Sequence, residues 1–90
     1  MKGVQVVYYR NDLPLPFATK VNDLDWITLK YFKEKVFVGK KGCTYRFFFK
    51  NYCEDLGMDV MEEYTNDISV LPVFLGKNNG RIVMGRIWTR

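Results

Sequence analysis

Alternating apolar and polar positions divide the chain into short extended runs with one helical interruption. Val4 to Tyr9 is rich in β-branched and aromatic residues and stops at Arg10-Asn11-Asp12, which predicts a strand followed by a turn. Leu13 to Val21 follows at hairpin distance. It places Leu13, Leu15, Phe17, Thr19 and Val21 on one face and Pro14, Pro16, Ala18 and Lys20 on the other. Pro16 has no N–H to give to a ladder, so this run is expected at the edge of a sheet.

Between Trp26 and Val36 the period changes. Leu29, Phe32 and Val36 fall at helical spacing, and Thr28 stands where an N-cap belongs, although Tyr31 occupies the position where a capping box would carry Glu or Gln. Gly39 to Gly42 ends the helix. Thr44 to Lys50 predicts a strand with Tyr45, Phe47 and Phe49 on one face, and its aromatic weight places it at the sheet centre. Asp59 to Tyr64 predicts a further short strand, Thr65-Asn66-Asp67 is turn chemistry, and Val70 to Leu75 is an apolar run broken by Pro72. After Gly76 to Gly80, whose residues tolerate positive φ, Arg81 to Trp88 closes the chain as a strand with Ile82, Met84 and Trp88 on one face. One helix among five strands predicts an α+β fold, a five-stranded mixed sheet with one principal helix across it, of the ubiquitin-like β-grasp kind.

Ninety residues, 48% of them hydrophobic, suffice for a single domain with an ordinary core. The apolar run near Met1 is too short for a signal peptide or a membrane span, so the expected setting is soluble and cytoplasmic. Cys43 and Cys53 are too few for a disulfide framework and are read as reduced thiols. With no histidine beside them they do not make a zinc site, and neither metal nor cofactor is expected.

Charge is distributed unevenly. Residues 51–76 carry Glu54, Asp55, Asp59, Glu62, Glu63 and Asp67 with no Lys or Arg, while basic residues predominate on both sides of that segment. An acidic and a basic region on one domain can dock copies of it, whereas a uniformly basic chain would suggest nucleic acid.

Catalysis finds little material. Without histidine, and with Ser69 the only serine, no Ser-His or Cys-His pair exists, so no enzyme is expected. Glu62 and Glu63 are neighbours on a strand and point to opposite faces, which prevents them from acting on one substrate together. Gly39-Lys40-Lys41-Gly42 lacks phosphate-loop spacing and reads as a charged turn. Lys41 to Phe48 partly matches the aromatic strand motif of RNA-recognition domains, but Cys43 replaces an aromatic and only one helix is predicted where that fold needs two. A basic single-stranded RNA-binding module therefore stands as an alternative, as does a monomeric ubiquitin-like domain. The edge strand is the stronger signal, because soluble proteins usually blunt an exposed edge with charge and this one presents Leu15, Phe17 and Ala18 around Pro16. The competing reading is that Leu15 and Phe17 face the helix.

Taken in order, Val7-Tyr8-Tyr9, Leu15-Pro16-Phe17, Ile27-Thr28-Leu29, Tyr45 to Lys50, Val60 to Glu63, Val70 to Phe74 and Gly80 to Val83 resemble the DIX domain, the module shared by Axin, Dishevelled and the coiled-coil DIX proteins of Wnt signalling. The Axin type is preferred to the Dishevelled type on Leu13 to Phe17 and Leu71 to Phe74. The resemblance implies that residues 1–90 are one DIX domain excised from a larger signalling protein. It also implies head-to-tail polymerisation, the second strand of one protomer pairing with the fourth of the next. Carried onto this sequence, one self-association surface is Leu15, Pro16, Phe17 and Ala18, and the other is Val60, Met61, Glu62 and Glu63. The implied partners are the chain itself and other DIX domains, without nucleic acid. A charge introduced at Phe17 or at Val60 is expected to block assembly and leave the domain folded.

Overall fold

The computed structural model describes residues 3–90; Met1 and Lys2, the start of the run weighed above as a leader, lie outside them. Strand β1 (Gly3–Arg10) buries Val4, Val6, Tyr8 and Arg10, the period-two pattern that its sequence predicts. Its antiparallel neighbour β2 (Phe17–Asn22) is shorter than the predicted run from Leu13. The chain turns after Arg10, where the Leu13 N–H donates to the Arg10 carbonyl at 3.1 Å, and the two prolines that follow have no N–H to contribute to pairing. Pairing therefore begins only at Phe17.

The segment around Trp26 splits in two. Thr28 is extended and bridges Val70, and the Ile27 carbonyl accepts from the Leu71 N–H at 2.9 Å. Helix α1 (Leu29–Tyr31) starts where expected, the Thr28 hydroxyl accepting from the Tyr31 N–H at 3.1 Å. It passes directly into a π-helical turn (Phe32–Val36), closed by the Phe37 N–H on the Phe32 carbonyl at 2.8 Å. The principal helix is thus barely two turns long. Leu29 and Phe32 point into the core from it.

Strands β3 (Tyr45–Cys53) and β4 (Met58–Tyr64) form a hairpin whose turn uses Gly57 at φ +65°. Strand β5 (Phe74–Leu75) adds two residues to β6 (Arg81–Thr89), after a turn in which Asn78 and Asn79 take positive φ as their neighbourhood predicted. The sheet order is β2-β1-β6-β3-β4, with β1 parallel to β6, the other pairs antiparallel, and β5 on β6 outside that path. The fold is the α+β ubiquitin-like grasp, with β5 as a sixth strand beyond the five predicted.

One sequence expectation is corrected. The sheet centre is β6, not the aromatic β3, which lies one place further out. Ile82, Met84 and Trp88 share a face of β6 as expected, and it is the face away from the core; Val83, Gly85 and Ile87 are the buried set. A side chain at Gly85 would meet the Phe49 ring at 2.8 Å, so the glycine lets the central strand approach the aromatic core. Phe32 is the hub of that core, edge-on to Tyr8 at 5.2 Å and to Phe49 at 5.0 Å between ring centroids. Each such buried aromatic contributes about 1.5–3 kcal/mol by leaving water.

Candidate functional site

A five-strand path that does not close has two free edges, and here they are β2 and β4. The residues of the two self-association surfaces that the resemblance implies fall at those edges, Phe17 and Ala18 on β2 with Leu15 and Pro16 just before it, and Val60 to Glu63 on β4, at opposite ends of the sheet. One chain cannot bring them together.

On the β2 side, Leu15 is 73% exposed and Pro16 and Ala18 are exposed. Phe17 differs from them. Its ring is half-buried and stacks on Tyr8 at 5.0 Å with 12° between planes. The two readings of this strand are therefore each right for one residue, because Leu15 faces solvent while Phe17 packs on the core. A charge at Phe17 would therefore meet the Tyr8 ring and the core as well as the edge.

On the β4 side, Val60 is half-buried, Met61 and Glu62 are exposed, and Glu63 is partly covered. Glu62 and Glu63 do point to opposite faces. Glu62 accepts from Asn51 Nδ2 at 2.9 Å, on the face that carries Phe49 and Tyr64. Glu63 takes both arms of the Arg46 guanidinium, each at 2.8 Å, on the other face. Those hydrogen bonds hold the Glu63 carboxyl below the usual carboxylate range. Burial, reinforced by the nearby Glu62 carboxylate, pushes the Tyr64 phenol up to about 12. Lys50 reaches Asp59 at 3.5 Å. The strand is tied to β3 by its antiparallel ladder, by Tyr64 edge-on to Phe49 at 5.7 Å, and by these polar and charged pairs.

Sequence reasoning did not find the clamp beside β2. Arg10 is only 5% exposed; its guanidinium donates to both Asp12 carboxylate oxygens at 3.0 and 2.7 Å and to the Val38 carbonyl at 2.7 Å. Lys40 adds a 3.3 Å contact to Asp12. Arg10, then Lys40, hold the Asp12 carboxyl below its ordinary range. The Tyr8 and Tyr45 hydroxyls accept from the Val38 and Lys40 N–H groups, so the long 38–43 loop is fastened to the turn that leads into β2. Arg10 occupies a core-facing position of β1, and that phase was the one available signal.

Tyr45, Phe47 and Phe49 pack against the core on the helix side and so are not presented for stacking on bases. Among the described residues, no helix is long and apolar enough to cross a membrane, no group of three or more His, Cys, Asp or Glu could hold a metal, and both cysteines are free thiols.

The chain is 36% identical over 83 residues to Axin-1 of Danio rerio, covering 90% of this chain, and 38% identical over 81 residues to Axin-1 of Mus musculus, covering 89%. It spans 9% of the length of each. The DIX domain family model matches residues 3–83, across every strand from β1 into β6, and the chain belongs to the DIX domain family.

Proposed function

We propose that this chain is a self-association module in which the β2 edge of one copy adds to the β4 edge of the next. The observation that carries the proposal is the sheet's two unlike free edges, at opposite ends of one strand path, with exposed Leu15 at one and exposed Met61 at the other. Contacts between two different surfaces generate an open filament when the rotation between copies does not close a ring. Main-chain hydrogen bonds supply attraction along the edges, and Leu15, Pro16, Phe17 and Ala18 against Val60, Met61, Glu62 and Glu63 supply specificity. So small an interface gives weak, reversible contacts, about −8 kcal/mol each at micromolar affinity. Many of them in a row hold firmly by avidity.

Its partners are further copies of itself and other DIX domains, of the Axin and Dishevelled types. The module is one part of a larger cytoplasmic signalling protein of the Wnt pathway, and polymerisation concentrates the scaffold or effector attached to it. The test is light scattering of the isolated chain over a concentration series. Molar mass rising without a plateau at the dimer is the expected result; a strict monomer at high micromolar concentration refutes the proposal.

A further inference from the structure

Beside β2 lies an open groove of about 750 Å³ whose lining includes Lys20, Lys77 and Arg81 together with Gln5 and Thr19, and no acidic residue. Arg81 is 3.6 Å from Asp25, while Lys20 and Lys77 have no ion pair among the described residues. The β3–β4 turn is the converse. Glu54 and Asp55 are exposed there and have no ion pair among the described residues either. One domain thus carries uncompensated cations beside one edge and uncompensated anions beside the other.

The register decides whether these can meet. Asn22 at the end of β2 lies beside Gly3, and Arg81 beside Val4, so the groove sits at the end of the sheet where β1 and β6 begin. Strand β3 runs against β6, from Tyr45 opposite Thr89 to Phe49 opposite Gly85, which carries Cys53 and the acidic turn to that same end. If successive copies keep their strands in one direction, β4 of one copy runs antiparallel to β2 of its neighbour. The turn of Glu54 and Asp55 then lies alongside Lys20 and Lys77. Parallel addition would carry the turn to the opposite end, beside Asp12.

We infer that the Lys20–Lys77–Arg81 groove receives the Glu54–Asp55 turn of a second copy of this chain, and that this contact fixes β2–β4 addition as antiparallel. The inference rests on the self-association proposed above and names a further contact for it. Charge pairs of this kind steer encounter and exclude the wrong register more than they add affinity, and salt screens them.

The experiment is a charge exchange on the whole chain, with assembly followed by sedimentation and folding by circular dichroism. Lys20→Glu with Lys77→Glu is expected to weaken assembly about tenfold by placing like charges together, and so is Glu54→Lys with Asp55→Lys. All four substitutions in one chain restore assembly towards the unsubstituted level. Weakening without restoration overturns the inference, as does assembly of either double variant at the unsubstituted level. Leu15→Asp separates the two claims: if it blocks assembly while the groove variants have no effect, edge addition stands and the groove contact falls. If the unsubstituted chain never assembles, both fall.

Discussion

The two edges of this sheet are built on different principles. β2 is six residues long and is held by its side chains, Val21 buried and Phe17 stacked on Tyr8, while its leading segment Leu13 to Pro16 stands outside the ladder. β4 is seven residues long and buries no side chain fully; beyond its ladder it has one core contact, Tyr64 edge-on to Phe49 at its end, and otherwise Arg46–Glu63, Lys50–Asp59 and Asn51–Glu62 contacts to β3. An edge anchored by core side chains cannot be altered at those residues without a cost in folding. An edge anchored by surface polar pairs can be, because exposed ion pairs contribute little to stability. Recognition and stability are thus coupled at Phe17 on β2 and largely separable at Met61, Glu62 and Glu63 on β4.

The strongest test of that contrast is Phe17→Asp, which removes the ring from Tyr8 and sets a carboxylate against a buried neighbour. It should cost about 2–3 kcal/mol of unfolding free energy and abolish assembly, as read by urea denaturation and sedimentation. A fully stable Phe17→Asp domain would remove the distinction between the edges. Next come Leu15→Asp and Val60→Asp. Leu15 is exposed, so its replacement should change stability by less than about 0.5 kcal/mol, and that of half-buried Val60 by about 1 kcal/mol. Each should stop growth by placing an unpaired charge in an apolar contact. Each variant retains the opposite edge, so the equimolar mixture should give a discrete heterodimer with two blocked ends. Two folded variants that stay monomeric when mixed would show that these edges are not partners.

Acid sharpens the comparison further. Asp12, beside β2, and Glu63, on β4, both titrate below their ordinary values in the folded chain because guanidinium groups hold them ionised. The unfolded chain therefore takes up these protons first. The stabilisation is complete above the ordinary carboxylate values of about 4 and is lost as pH falls through the lower folded values. Asp12 is held by a buried arginine and a lysine, Glu63 by one exposed arginine. Asp12→Asn should accordingly flatten the acid limb of the urea midpoint against pH more than Glu63→Gln does. The smallest expected effect is that of Glu63→Gln at neutral pH, which should scarcely move the unfolding midpoint. A large shift would mean that β4, too, couples stability to its recognition surface.

Much of this organisation is a local property of the chain. β-Branched and aromatic content in Val4 to Tyr9 and alternation in Tyr45 to Phe49 found two strands, Thr28 found the helix start, and Asn78 and Asn79 found a turn. Pro16 identified an edge, since a residue without an N–H is excluded from the interior of a ladder. The segregated charge of residues 51–76 was visible as composition, and the ordered motifs pointed to the family. Other features were decided only by packing. Both faces of β6 carry apolar side chains, so its period could not say that Val83 and Ile87 turn inward and Ile82 and Met84 outward. Nor could it say that this last strand lies between β1 and β3, because strand order depends on partners distant in sequence. The burial of Arg10 required Asp12 and the Val38 carbonyl to converge on one guanidinium. The partition of Phe17 into the core and Leu15 into solvent required the ladder to begin between them, where pairing with Tyr8 starts. Periodicity records the two faces of each element; which face is buried, and beside which neighbour, is set by contacts between residues far apart in the chain.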